Sequence, residues 1–388
     1  MSILCNIYKE GWIISHNDCI NKIYNLVSGE TSSTHSYVLN NSLFLINTPY
    51  IKNEQALNFT LECNETSRPT LNIIEPPKKK VKTKTSPHDY IKVNEVEYVQ
   101  YHFMKVIQEG QICGCFNYVP CLEDLKSNNL KAREKSKLLY ENISTQSASN
   151  FHGGNESCNA VISEVENKKY IIPANCRFFC YDVKDIEQNL HRLNCPFDLI
   201  LLDPPWWNKY IRRKNLKNRK SGYQMMYNKD LVEIPITTLI GPGSLVAVWC
   251  TNCESHVNAL KTSVFPAWGL SYLGKWFWIK VTRSGKPVCS FSDPPGKQPF
   301  EQIIFGWKET KERVLPLPPD GMVVVSVPSA IHSHKPPLSE LLSTFLPENP
   351  QCLELFARYL LPGWTSWGLE VLKLQDIMLY EQKTEEGS

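Results

Sequence analysis

The chain has 388 residues, 42% of them hydrophobic and 21% charged, with a formal net charge of +3. That is the composition of a globular protein of about two to three domains. It excludes a disordered or globally basic chain, so affinity for nucleic acid has to come from local patches. The opening "MSILCNIYKEGW" is broken by Asn6, Lys9 and Glu10 and does not read as a signal peptide, and no run approaches the ~20 apolar residues of a membrane span.

Residues 1–65 alternate short apolar and polar runs and predict a small β-rich N-terminal domain. Residues 66–87 read as a basic linker, because "EPPKKKVKTKTSP" has proline at both ends and five lysines in seven residues. Its lysines from Lys78 to Lys84 also fit a nuclear-localisation tract. From 88 to 160 the pattern predicts a helical region and a flexible loop. An amphipathic helix runs from about His88 until Gly110 stops it. A second helix covers "EDLKSNNLKAREKSKLLYENI", and the Ser/Asn/Gly-rich stretch 144–157 forms the loop.

Residues 161–380 have a different texture, and 381–388 read as a disordered tail. Apolar runs recur: "FFCYDV", "FDLILLD", "SLVAVWC", "KWFWIKV", "EQIIFGW", "MVVVSVP" and "CLELFA". Near-continuous apolar strands are buried on both faces, so this region predicts one α/β domain with a mostly parallel sheet. Ligands of such sheets bind beyond the carboxyl ends of the strands. The fourteen cysteines are expected to stay reduced. The "CGC" pair Cys113 and Cys115 and the "CTNC" pair Cys250 and Cys253 lie too far apart in sequence to suggest a four-ligand zinc site, and buried thiols are the simpler reading. No metal is predicted.

Asp203 follows "FDLILL" directly, where a catalytic group is expected. Pro204 and Pro205 fix φ and lack N–H groups, which holds a carboxylate and a carbonyl acceptor rigidly beside an aromatic plane. Two acceptors match the two hydrogens of a planar amine, and Trp206 or Trp207 can stack on a base at ~1–3 kcal/mol per contact. The pocket therefore suits an exocyclic aminopurine. Next comes "KYIRRKNLKNRK", with seven positive charges in twelve residues. Lys209, Arg212, Arg213, Lys214, Lys217 and Arg219, with Tyr210 among them, fit a phosphate-gripping loop. The second Asp-Pro-Pro, at Asp293, follows a polar segment and reads as a turn.

Three motifs in order, "LLDPPW" (Leu201 to Trp206), "HSHKPPL" (His332 to Leu338) and "LELFAR" (Leu353 to Arg358), resemble the MT-A70 family of adenine-N6 methyltransferases. "PGWTSWG", from Pro362 to Gly368, is similar to its methyltransferase-like four branch. The resemblance covers roughly residues 170 to 375. It implies a Rossmann-like fold with permuted motif order, S-adenosylmethionine as cofactor, and a divergent N-terminal extension. By the same resemblance Asp203, Pro204, Pro205 and Trp206 hold the target adenine. Asp182, Val183, Asp203, Lys335, Phe356, Arg358 and Glu370 meet the cofactor. Tyr359 and Leu369 stand where the branch places asparagines that touch the cofactor ribose.

The expected activity is methylation of adenine N6 in RNA, especially 2′-O-methyladenosine of small nuclear RNA. DNA adenine is the alternative substrate, and a nucleic-acid-binding methylase fold without turnover is the alternative role. A cytosine-C5 methylase using Cys195 is disfavoured, because that thiol precedes its strand. Residence in the nucleus, with the cytoplasm second, and no obligate protein partner complete the expectation.

Overall fold

The computed structural model describes residues 2–28, 34–50, 91–143, 150–193, 196–207, 225–294 and 296–383. In chain order its strands are β1 (Ile3–Ile7), β2 (Gly11–Ile14), β3 (Val27–Ser28), β4 (Thr34–His35), β5 (Tyr37–Leu39), β6 (Phe151–Asn155), β7 (Ala160–Val165), β8 (Lys168–Ile172), β9 (Cys176–Cys180), β10 (Phe197–Leu202), β11 (Ile240–Cys250), β12 (Ser271–Lys280), β13 (Phe300–Trp307), β14 (Val323–Ser326), β15 (Cys352–Leu355), β16 (Trp364–Trp367) and β17 (Tyr380–Gln382). All seven apolar runs singled out in the sequence are strands.

Eleven of these strands form one sheet, in the order β1-β2-β14-β12-β13-β11-β10-β15-β16-β9-β6. Side chains alternate across it. On β10, Leu199 and Leu201 pack into one layer with Trp249 and Trp278, while Ile200 and Leu202 enter the other with Val257 and Leu260 of the helical stretch after β11. Burial on both faces is why the run carries no polar alternation; each such side chain contributes ~1.5–3 kcal/mol. The fold is mixed α/β, and the sheet is mostly parallel: β9, β16, β15, β10 and β11 run parallel in series, as do β12, β14 and β2. β13 lies antiparallel between β11 and β12. All eight parallel strands therefore end at one edge, and β13 begins there.

The N-terminal residues do not form a domain of their own. β2 is buried along its whole length and pairs with β14 in the large sheet, with β1 outside it. β3 pairs with β4 and β7, and β5 pairs with β17. The segment read as an independent unit thus shares ladders with both ends of the later region. β17 also makes residues 380–382 a strand, where the tail was expected to begin at 381. The basic linker 66–87 and its lysine tract lie outside the described residues.

Helix α2 (Val93–Ile112) buries Val96, Val99, Phe103, Val106 and Ile107 at helical spacing against Ile13, Phe277 and Val323 of the sheet. Gly110 lies inside this helix and does not stop it. A Cβ there would meet Ile13 Cδ1 at 2.1 Å, so glycine serves close packing. The second expected helix is two, α3 (Leu122–Ser127) and α4 (Leu130–Asn142), split where Asn128 and Asn129 both take positive φ. Asn tolerates that conformation, and the buried Asn129 amide also bonds the backbone of Asn47 and Thr48.

The stretch 150–157 is not all loop, since β6 pairs antiparallel with β9 at the sheet edge. Its glycines admit the neighbouring strand: a Cβ on Gly154 would lie 2.4 Å from the Cys176 carbonyl oxygen. Cys250 is buried, but Cys113 is exposed and Cys115 and Cys253 are half-buried, so the expectation of buried thiols fails for those three. No helix among the described residues is long and apolar enough to cross a membrane.

Candidate active site at the carboxyl edge of the sheet

The residues that follow the parallel strands meet at the shared edge. Asp203 comes directly after β10, and its amide donates to the Leu355 carbonyl of the neighbouring β15 at 3.4 Å. Its carboxylate stands between two cations. Lys335 Nζ is 3.8 Å from Oδ1 and Arg358 NH1 is 3.9 Å from Oδ2. Arg358 also faces Glu370, with Nε 3.3 Å from Oε2, and Glu370 pairs with Lys373 at 2.5 Å. Lys335 is buried, sits 5.1 Å from the Trp249 ring centroid, and pairs with Glu301. Burial works against its charge, but Asp203 and Glu301 outweigh that and hold its pKa above the usual lysine range.

Glu301 is the residue that sequence reasoning missed. It lies at the start of β13, inside a run read only as an apolar strand. It also binds Lys280 at the end of β12. Burial would raise its pKa, yet Lys335 and Lys280 hold the carboxyl far below the carboxylate range. A charged residue opening an antiparallel strand at the carboxyl edge was the available signal, but the direction of β13 is not written in local spacing.

Two side-chain-bearing turns in the left-handed region shape the edge. Phe356 has φ +61° and Ser333 φ +60°. Such φ values are uncommon outside glycine, and they cluster at functional sites. The turn at Phe356 brings Arg358 back toward Asp203. The Ala357 amide then bonds the Trp367 carbonyl, and the Gly368 amide bonds the Phe179 carbonyl. Asp182 caps the following short helix through the Lys184 amide, its carbonyl accepts from Trp367 Nε1 at 2.9 Å, and Val183 is buried. Asp182, Val183, Asp203, Lys335, Phe356, Arg358 and Glu370, read from separate motifs, are thus gathered at one edge.

The proline loop differs in detail from its expectation. The Pro204 carbonyl accepts from the Trp206 amide at 2.8 Å, and the Pro205 carbonyl accepts from the Met226 amide at 2.9 Å. Neither carbonyl is wholly unspent, although each keeps a second lone pair. Trp206 is buried, donates Nε1 to the Trp249 carbonyl at 2.8 Å, and rests on His256. Trp207 is half-buried and stacks on Tyr227 with centroids 6.0 Å apart. Lys209, Arg212, Arg213, Lys214, Lys217 and Arg219 fall outside the described residues, as does Cys195.

The two departures in the cofactor motifs have different structural meanings. Leu369 is 44% exposed and offers only an apolar surface. Tyr359 is buried and turned inward against His334, so it does not replace a surface contact at all.

Comparison with known proteins agrees with the motif order. The MT-A70 family profile matches residues 197–370. The N(6)-adenine-specific methyltransferase METTL4 of Homo sapiens is 34% identical over 278 residues, covering 69% of this chain and 56% of the relative. A DNA N6-methyl methyltransferase of Caenorhabditis elegans is 35% identical over 243 residues, covering 62% and 64%. The N6-methyladenosine RNA methyltransferase MTA1 of Pyricularia oryzae is 31% identical over 229 residues, covering 57% and 59%. The chain spans less than two thirds of the length of each of these relatives.

Proposed function

Residues 197–370 are an MT-A70 domain, and from that premise we propose that the chain methylates N6 of adenine in nucleic acid, with S-adenosylmethionine as donor. The observation that carries the reading is Asp203, fixed at a strand end between Lys335 and Arg358 beside a rigid Pro-Pro-Trp loop.

The residues present fit the cofactor. It has one carboxylate, and the site offers two cations with partners at the edge, Lys335 and Arg358. It has a ribose, and Glu370 supplies an acceptor beside Arg358. Asp182 and Val183 border the side expected to take its adenine. Bound there, S-adenosylmethionine would supply an electrophilic methyl group. The chain's own part is to hold and orient. Asp203 accepts hydrogen bonds from the target amine, which draws the nitrogen lone pair out of conjugation. The second lone pair of a proline carbonyl takes the other hydrogen. Trp206, locked by its bond to the Trp249 carbonyl, forms a fixed wall for the base. Positioning of the two reactants carries most of the rate.

The favoured substrate is RNA, with 2′-O-methyladenosine of small nuclear RNA as the target that the "PGWTSWG" resemblance supports; DNA adenine is second. The basic run Lys209–Arg219 grips the phosphates, and the Lys78–Lys84 tract directs the protein to the nucleus. Incubation with labelled cofactor and matched RNA and DNA oligonucleotides, followed by nucleoside mass spectrometry, tests the activity and the substrate, and a reporter fusion of residues 70–90 tests the nuclear tract. N6-methyladenine in RNA is expected, and no methylated adenine in either polymer would overturn the proposal. A binding protein without turnover is the reading favoured by exposed Leu369; calorimetric titration showing no cofactor binding would select it.

A further inference from the structure

Beneath Asp203 lies a set of polar groups that the function above does not use. Glu354 of β15 pairs in register with Leu201, two residues before Asp203, and with Ser366 of β16. By strand alternation these side chains stand on the Asp203 face. Tyr359 follows on the same side, its ring 5.9 Å from His334, whose ring is 5.0 Å from His16. His16 opens helix α1 (His16–Asn21), separated from β2 by its N-cap Ser15, and its ring lies against the backbone of Lys335. All five residues are buried, between 0% and 8% exposed.

Their polar atoms do not pair with one another. Among the described residues, Glu354 Oε2, Ser366 Oγ, Tyr359 Oη and His334 Nδ1 lack a hydrogen-bond partner. A single buried unpaired polar atom destabilises a fold by ~1–3 kcal/mol. Four such atoms on residues that neighbour one another in pairs, Glu354 with Ser366 and Tyr359 with His334, mark a site for a small hydrogen-bonding ligand.

We propose that Glu354, Ser366, Tyr359, His334 and His16 line a chamber that binds a chain of ordered water molecules, and that His16 is a positioning residue for Lys335. Water fits because the lining offers both donors and acceptors and carries little charge. Burial lowers the pKa of His334 to about 4 and raises that of Glu354, with Asp203's charge adding, to about 8, so both are neutral near pH 7. The N-terminal segment is thereby built into the floor of the catalytic edge. The hydration stands on the buried atoms alone; the positioning of Lys335 rests on the proposed function.

The test is a double-substitution cycle with His16→Phe and Tyr359→Phe, read by thermal melting, together with a high-resolution crystal structure of the unmodified chain. Ordered waters within hydrogen-bond reach of Tyr359 Oη and His334 Nδ1 are expected. Each substitution should lower the melting temperature by a few degrees, and the two should be non-additive, because they share waters. A dry chamber predicts the reverse: Tyr359→Phe removes an unpaired hydroxyl and leaves the melting temperature unchanged or higher. That result, or a crystal structure without those waters, overturns the chamber. For the positioning role, His16→Phe should weaken S-adenosylmethionine about tenfold by calorimetry, with rescue by His16→Asn; unchanged affinity refutes it. If the unmodified chain binds no cofactor, the proposed function fails while the melting cycle still decides the chamber.

Discussion

Replacing Asp203 by asparagine removes one charge and changes the side-chain shape little. Opposite charges about 4 Å apart interact by ~4 kcal/mol at an effective dielectric of ~20, and Asp203 makes such a contact at 3.8 and at 3.9 Å. Most of that is lost to desolvation and solvent screening. Neither cation is stranded by the change, because Lys335 keeps Glu301 and Arg358 keeps Glu370. The fold should therefore lose only ~1–3 kcal/mol. Cofactor affinity should stay within a few-fold of the parent, since Asp203 itself competes for Lys335.

Chemistry should suffer far more. The amide oxygen is a weaker acceptor, and the amide NH₂ points a donor at a site already crowded by two cations and an amine. Losing the group that polarises the amine should slow methyl transfer by ~10²–10⁴-fold. Transfer of labelled methyl to an RNA oligonucleotide measures the rate, with calorimetry and melting on the same protein. A rate within about threefold of the parent, with intact folding, would refute the role given to Asp203.

Glu301→Gln should release Lys335 and Lys280 from their shared partner, weakening cofactor binding about tenfold and lowering the melting temperature; equal affinity by titration would remove Glu301 from the site. Glu354 gives a pH signature. Its carboxyl is held protonated to about 8 in the fold against a reference of 4.5, so its contribution is full below the unfolded pKa and is lost as pH rises through about 8. At ~1.4 kcal/mol per pH unit, Glu354→Gln should flatten the decline of stability from pH 5 to pH 8, as read by melting across that range; a parallel curve would contradict its burial. Gly154→Ala puts a Cβ 2.4 Å from the Cys176 carbonyl, which should destabilise by ~1–3 kcal/mol in urea unfolding, and neutrality there would argue against the β6–β9 pairing.

The strands were legible because burial on both faces leaves a local trace, as in "FDLILL" and "SLVAVWC". Asp203 was legible because a carboxylate and two prolines ended such a run, and Lys335 and Arg358 because their motifs stand in order, while Glu370 came only from the family resemblance. Other features were not. Gly110 was read as a helix stop, since its packing against Ile13 involves a strand almost a hundred residues away in the chain. The first residues were read as a separate domain, since nothing local says that β2 pairs with β14. The Pro204 and Pro205 carbonyls were read as rigidly held acceptors without their partners, since one of those, the Met226 amide, is distant in the chain.

By itself, then, the sequence determined the seven apolar strands and the carboxylate that ends one of them before two prolines. Strand order and direction were decided only in the tertiary structure. The reversed direction of β13 carries Glu301 to the carboxyl edge, the pairing of β2 with β14 places His16 against the Lys335 backbone, and the turn at Phe356 directs Arg358 toward Asp203 while Tyr359 goes to the interior. The physical reason is one of range. Side-chain alternation and turn chemistry act over a few residues, whereas the ladder neighbours that fix this edge are chosen by burial of whole sheet faces across the length of the chain.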